Sequence, residues 1–368
     1  MHPDLLYQIG ITLVKGIGDT IAQKVIEILD DVSLLFKEKA HRLEHAGIPR
    51  KLITEARRPE ILQRAEKEIS FIEKNKISPL FVKDANYPQR FKECVDAPVL
   101  LYFRGNADLN TAKIISIVGT RNASSYGREV TEKLLCDFAN TYPGTLIVSG
   151  LAYGIDICAH RAALKNKLPT VGVLAHGLDR IYPHVHRNVA VEMLEEGGLL
   201  TDFMSETNPD RQNFVKRNRI IAGISDCTIV IESAEKGGAL ITASIADSYN
   251  KDIFAVPGRV NDDYSTGCNT LIKSKRAALV TCAEDVFWEM CWDKADSAKK
   301  PAVQKDLFVE LTPEEQPLVD LLTRSESMPL NTLCIELNVS AGKLASLLFE
   351  LEMKGVVRRM PGGSYELI

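Results

Sequence analysis

Between Ala112 and about Val286 the chain alternates short, uniformly apolar runs with longer stretches of helical periodicity. The apolar runs are Ile114–Val118, Leu146–Val148, Thr170–Leu174, Leu199–Leu200, Thr228–Ile231 and Ile253–Val256. Helical patterns between them include Glu129–Asn140, Cys158–Lys165, Val189–Glu196 and Ile241–Tyr249. Strands that are apolar throughout and joined by helices predict a mostly parallel sheet covered on both faces. The expected architecture is therefore α/β, an extended Rossmann-like doubly wound sheet.

The flanks read differently. Residues 1–76 carry helical periodicity alone and predict an N-terminal helical domain. Within it, Gly16-Ile17-Gly18 between two apolar-periodic segments resembles a helix-hairpin-helix (SAM-like) turn, which would aim backbone N–H groups at a phosphate. Residues 77–105 turn β-rich at Leu80-Phe81-Val82 and Val99–Phe103, with X-Pro breaks at Tyr87-Pro88 and Ala97-Pro98. The central domain is expected over 77–292. A Lys-, Asp- and Ala-rich linker is expected over 293–306, followed by a winged-helix domain over 307–368. There the pattern predicts helices at Thr312–Leu322 and Leu330–Leu337, and a third capped by Ser340. Val356–Met360 and Ser364–Leu367 would form the wing around Pro361-Gly362-Gly363.

Ligands of parallel α/β sheets bind beyond the carboxyl ends of the strands, so the residues after each strand matter most. They are Gly119-Thr120-Arg121, Ser149-Gly150 leading to Gly154-Ile155-Asp156, Gly177-Leu178-Asp179, Lys236-Gly237-Gly238 and Pro257-Gly258-Arg259. Glycines there let backbone amides approach a ligand closely. From Phe214 the chain crowds Lys216, Arg217 and Arg219 around Asn218, then runs into Ile220-Ile221-Ala222. This reads as cations at the front of a short buried helix, not needed for packing. Together with Arg121 they are expected to gather round one anion.

Composition narrows the chemistry. A formal charge of −4 confines any nucleic-acid contact to a local patch. Eight singly scattered cysteines, no signal peptide and no membrane-spanning run point to reduced thiols in the cytoplasm. Neither Gly-x-x-x-x-Gly-Lys-Ser/Thr nor Gly-x-Gly-x-x-Gly is present, so no nucleotide cofactor is indicated. His184 and His186 read as a surface pair without a third ligand. His160 and His176 have no nucleophile beside them, and Asp156 and Asp179 read as loop braces. No catalytic residue and no metal site is expected; the chain reads as a binding protein, not an enzyme.

Val118-Gly119-Thr120-Arg121, Ser149–Asp156 with Ala159-His160, Gly177-Leu178-Asp179 with Tyr182-Pro183, Arg217–Gly223 and Ala255–Gly258 resemble the signature blocks of the DNA-processing protein A (DprA, Smf) family, in order over roughly 77–286. The resemblance implies a single-stranded DNA-binding protein of natural transformation. Such a protein would protect incoming strands, displace single-strand-binding protein, load the RecA recombinase and act as a homodimer. It places the DNA pocket on Thr120, Arg121, Ser149, Gly150, Phe214, Lys216, Arg217, Asn218 and Arg219. Val215 departs from the family's usual Pro. Phe214, Tyr126 and Tyr153 are candidates for base stacking, with core packing preferred for Tyr153. The Gly237-Gly238 block also admits a Rossmann phosphoribohydrolase. That chemistry needs a glutamate near the anomeric carbon, and Ser244 or Ile245 stands where it would fall.

Overall fold

The computed structural model describes residues 4–292 and, farther on, 312, 314–323, 328–354, 356–360 and 364–367. The linker expected over 293–306 and the wing turn at 361–363 lie outside the described residues. The chain forms two compact units, Met1–Asp296 and Ser297–Ile368.

The first unit is built on nine strands: β1 Ser78–Phe81, β2 Leu100–Gly105, β3 Ile114–Val118, β4 Leu146–Ser149, β5 Thr170–Val173, β6 Gly198–Thr201, β7 Cys227–Val230, β8 Asp252–Ala255 and β9 Ala278–Leu279. Their order is β1-β2-β6-β5-β4-β3-β7-β8-β9. From β6 to β9 every neighbouring pair is parallel, while β2 runs antiparallel to both β1 and β6. β3 through β7 are buried at every position, which is why they read as unbroken apolar runs. The chain leaves β3 towards β4 and later returns on its other side as β7. The reversal opens a crevice between the carboxyl ends of β3 and β7.

The helix between β6 and β7 spans Arg211–Ile224. It is longer than expected: the cations stand in its middle, not at its front. Its last turns are buried on every side, at Ile220, Ile221, Ala222, Gly223 and Ile224. The Lys251 ammonium closes its end by donating to the Gly223 and Ser225 carbonyls.

Six helices cover residues 5–75, the longest Pro59–Asn75. Their apolar residues share one buried core with β1 and β2. Glu68 accepts from the Ser205 backbone N–H at 2.9 Å and hydroxyl at 2.5 Å, and Arg64 donates to the Ser205 carbonyl at 2.7 Å.

The second unit has helices Gln316–Leu322, Leu330–Leu337 and Ala341–Met353, with β10 Met328–Pro329, β11 Val357–Met360 and β12 Ser364–Leu367 paired in the order β10-β12-β11. Leu318, Leu322, Leu333, Leu344, Leu348 and Leu351 fill its core. This is the winged-helix pattern expected from sequence.

Candidate nucleic-acid interface

At the crevice lies a cleft of about 540 Å³. One wall is the turn after β3, Gly119-Thr120-Arg121; the opposite wall is Ser233, Ala234 and Lys236-Gly237-Gly238 after β7; Phe214, Arg217 and Asn218 enter from the Arg211–Ile224 helix. The backbone sets these walls. Gly154 has φ +81°, and a Cβ there would stand 2.1 Å from the Thr120 carbonyl oxygen. Only glycine lets that loop press against the backbone carrying Arg121. The Ile155 N–H then donates to the Thr120 carbonyl at 3.1 Å.

The charges are graded by depth. Arg121 is exposed, its guanidinium 5.3 Å from the Phe214 ring centroid. Arg217 lies 6.0 Å from the same centroid but is only 4% exposed, and it donates to the Val173 carbonyl. Its Nε has no hydrogen-bond partner among the described residues. Arg217 and Asp156 face each other across Gly150, whose missing Cβ would meet both. Burial raises the Asp156 carboxyl above its ordinary range, against the pull of Arg217. Burial likewise lowers the Arg217 guanidinium, against the pull of Asp156. The site thus holds a buried cation facing Asp156 at its floor and an exposed one at its mouth, which suits an anion entering from solvent.

The nine residues named from sequence do not all share this cleft. Thr120, Arg121, Phe214, Arg217 and Asn218 line it. Ser149 is fully buried and donates to the Ile117 carbonyl at 2.6 Å, while Gly150 forms wall backbone beneath Arg217. Lys216 and Arg219 line a second cleft of about 720 Å³ with Asp19, Asp96 and Asp202. Arg219 donates to Asp19 at 2.9 Å, to Asp202 at 2.7 Å and to the Asp96 carbonyl. The expectation that the basic run gathers at one anion and is not needed for packing is therefore corrected. Adjacent helical residues point in different directions, and both arginines are tied into the interior.

Other expectations are also corrected. Tyr153 is not core; it is half exposed, its ring 5.0 Å from that of His186. His186 is not a surface residue; it is buried, with Nδ1 2.8 Å from the Leu151 carbonyl. The Gly16–Gly18 turn opens onto the second cleft, where Asp19 puts a carboxylate at the helix start. Asp179, by contrast, braces its loop as expected, accepting from Arg180 and from the Glu206 N–H. His160 braces the first cleft: Nε2 lies 2.5 Å from the Gly150 carbonyl and Nδ1 2.7 Å from the Thr170 hydroxyl. No cluster of metal-ligating side chains occurs among the described residues. Sequence reasoning passed over Arg211 and Tyr182, which also line the first cleft. The Tyr-Pro block after β5 was a signal for Tyr182; Arg211 had none.

A doubly wound sheet with a cationic, aromatic cleft at its switch point, followed by a winged helix, defines a Rossmann-type α/β protein with a candidate anion site. The particular family follows from its relatives. The chain matches the family described as DNA recombination-mediator protein A over residues 78–291, and the DprA winged-helix domain over residues 300–363. It is 39% identical to the DNA processing protein DprA of Bacillus subtilis over 58% of this chain and 71% of that one. It is 32% identical to protein Smf of Escherichia coli over 76% and 75%. Among solved structures it resembles DNA processing protein A of Streptococcus pneumoniae, with TM-score 0.63 and 32% identity over 77% of this chain and 96% of that one. It also resembles the Helicobacter pylori protein, with TM-score 0.52 and 29% identity over 59% and 96%, whose structure was described for its single-stranded DNA binding mode. The chain belongs to the DNA recombination-mediator protein A (DprA/Smf) family.

Proposed function

We propose that this protein binds single-stranded DNA in the switch-point cleft, protects incoming strands during natural transformation and loads a RecA-type recombinase onto them, displacing single-strand-binding protein. It acts as a cytoplasmic homodimer and catalyses no bond-making. The helical segment 1–76, the linker 293–306 and the winged helix 307–368 serve as domains accessory to 77–292. The observation that carries the reading is that the Arg121 and Arg217 guanidiniums lie 5.3 Å and 6.0 Å from the Phe214 ring centroid, at a cleft walled by bare backbone. Phosphate oxygens suit the guanidinium groups, and an unstacked base suits the ring. Among the described residues the sole carboxylate lining that cleft, Asp156, is buried against Arg217. This disfavours the phosphoribohydrolase alternative, which needs a carboxylate at the reacting carbon.

Filter binding of single- and double-stranded oligonucleotides at two salt concentrations tests it. Preferential retention of the single strand, falling steeply with salt and indifferent to sequence, is expected. Equal retention of both forms, or release of free base from nucleoside monophosphates, sinks the reading.

A further inference from the structure

The loop after β5 carries Tyr182 to the mouth of the first cleft, where its ring is half exposed. Its centroid lies 6.1 Å from that of Phe214, and the two planes are inclined at 62°. Rings so far from parallel cannot clamp one base between them, because a sandwich needs facing planes about 7 Å apart. Nor can they continue one stack, since stacked bases rise only about 3.4 Å per step. They present two separate faces. Phe214 lies beside the two arginines, while Tyr182 is the outer face, towards solvent.

We propose that Tyr182 is a second base platform: one nucleobase stacks on Phe214, its neighbour on Tyr182, and the strand is bent open between them. The inference rests on the single-strand reading above and deepens it. It also supplies a reason for that preference. A duplex would have to break a stack and its pairing to present two splayed bases, whereas a single strand gives up only a stack.

Fluorescence anisotropy with a labelled oligo(dT), and with an abasic strand of the same length and charge, tests the proposal. Tyr182→Leu is expected to weaken oligo(dT) binding about ten-fold. The dependence on salt should not change, because no phosphate contact is lost. On the abasic strand Tyr182→Leu should bind like the wild type, and Tyr182→Phe should keep wild-type affinity for both. Unchanged oligo(dT) affinity in Tyr182→Leu overturns the platform, as does an equal loss on the abasic strand. If the wild-type chain fails to bind oligo(dT), the single-strand reading falls and the platform with it. If Arg121→Ala weakens oligo(dT) binding and Tyr182→Leu does not, only the platform falls.

Discussion

Two clefts flank the Arg211–Ile224 helix, and they differ in sign. Among the described residues, the first collects Arg121, Arg211, Arg217 and Lys236 against the carboxylate of Asp156. The second collects Lys216 and Arg219 against Asp19, Asp96 and Asp202. Both draw on one run of sequence. At helical spacing, Phe214 shares a face with Arg217 and Asn218, and Lys216 shares one with Arg219. The same three neighbouring cations therefore divide into one in the first cleft, beside Asp156, and two in the second, among Asp19, Asp96 and Asp202. Local density of positive charge in a sequence does not indicate an anion site until its helical phase is known.

The largest effect that could break this contrast is on stability. Arg219→Ala would leave the part-buried Asp19 and Asp202 without their shared partner, and among the described residues Asp202 Oδ1 already has none. Losing one member of a fully buried network costs about 3–5 kcal/mol, and this part-buried one should approach the lower end of that range. Urea denaturation should show that loss, while the protein that remains folded binds single strands as the wild type does. A folded Arg219→Ala variant with lost affinity would instead put Arg219 in the DNA site.

A somewhat smaller effect lies in the wall of the first cleft. Burial, with a contribution from the Arg217 charge, pushes His160 from 6.5 down to about 4, against the Gly150 carbonyl that favours its proton. In the unfolded chain the imidazole takes up a proton near 6.5; in the folded chain it resists until about 4. The unfolded state thus binds more protons across that window, and stability must fall as pH drops through it, by about 3 kcal/mol in all. Above 6.5 the group is neutral in both states and adds no slope. Denaturation at successive pH values should show the decline, and His160→Gln should flatten it.

Arg121→Ala is the direct test of the first cleft. The side chain is exposed and its neighbour in the cleft is the Phe214 ring, 5.3 Å from the guanidinium, so stability should be nearly unchanged. Affinity for a single strand should drop about ten-fold at low salt, and the salt slope should shrink by about 0.7 if one phosphate contact is lost. Lys216→Ala, on the acidic side, should do neither. A drop for Lys216→Ala equal to that for Arg121→Ala would merge the two clefts into one DNA surface.

The contrast also explains what could be read in advance. The strands were legible because β3 to β7 are buried on both faces, so composition alone marked them. Helix starts were less so: the helix Ser125–Thr141 begins before its apolar pattern does, at a Ser124 cap whose hydroxyl accepts from the Gly127 N–H. Thr120 and Arg121 could be placed because they follow a strand at the switch point. Lys216 and Arg219 could not, because their partners Asp19, Asp96 and Asp202 come from distant parts of the chain. Tyr153 and His186 exchanged their expected environments for a similar reason: each is positioned by the other's loop.

The smallest expected effect concerns the winged helix. From Leu311 to Ile368 the sequence has five cations and eight anions. The Ala341–Met353 helix, where a groove-reading helix would be basic, exposes Lys343, Ala345, Phe349, Glu350 and Glu352. Lys343 is engaged by Glu314 at 3.0 Å, and Lys354, just past the helix, by the buried Glu315 at 2.7 Å. Neither lysine is free of a carboxylate, so a phosphate would have to displace one before binding. Removing residues 307–368 should therefore change single-strand affinity by less than about two-fold and leave the salt slope intact, since that slope counts the phosphates neutralised. Anisotropy measurements on the full and shortened chains, across a salt series, would decide it. A shallower slope in the shortened chain would mean that the winged helix holds phosphates despite its charge, and the division of labour between a cationic cleft and an acidic accessory surface would no longer hold.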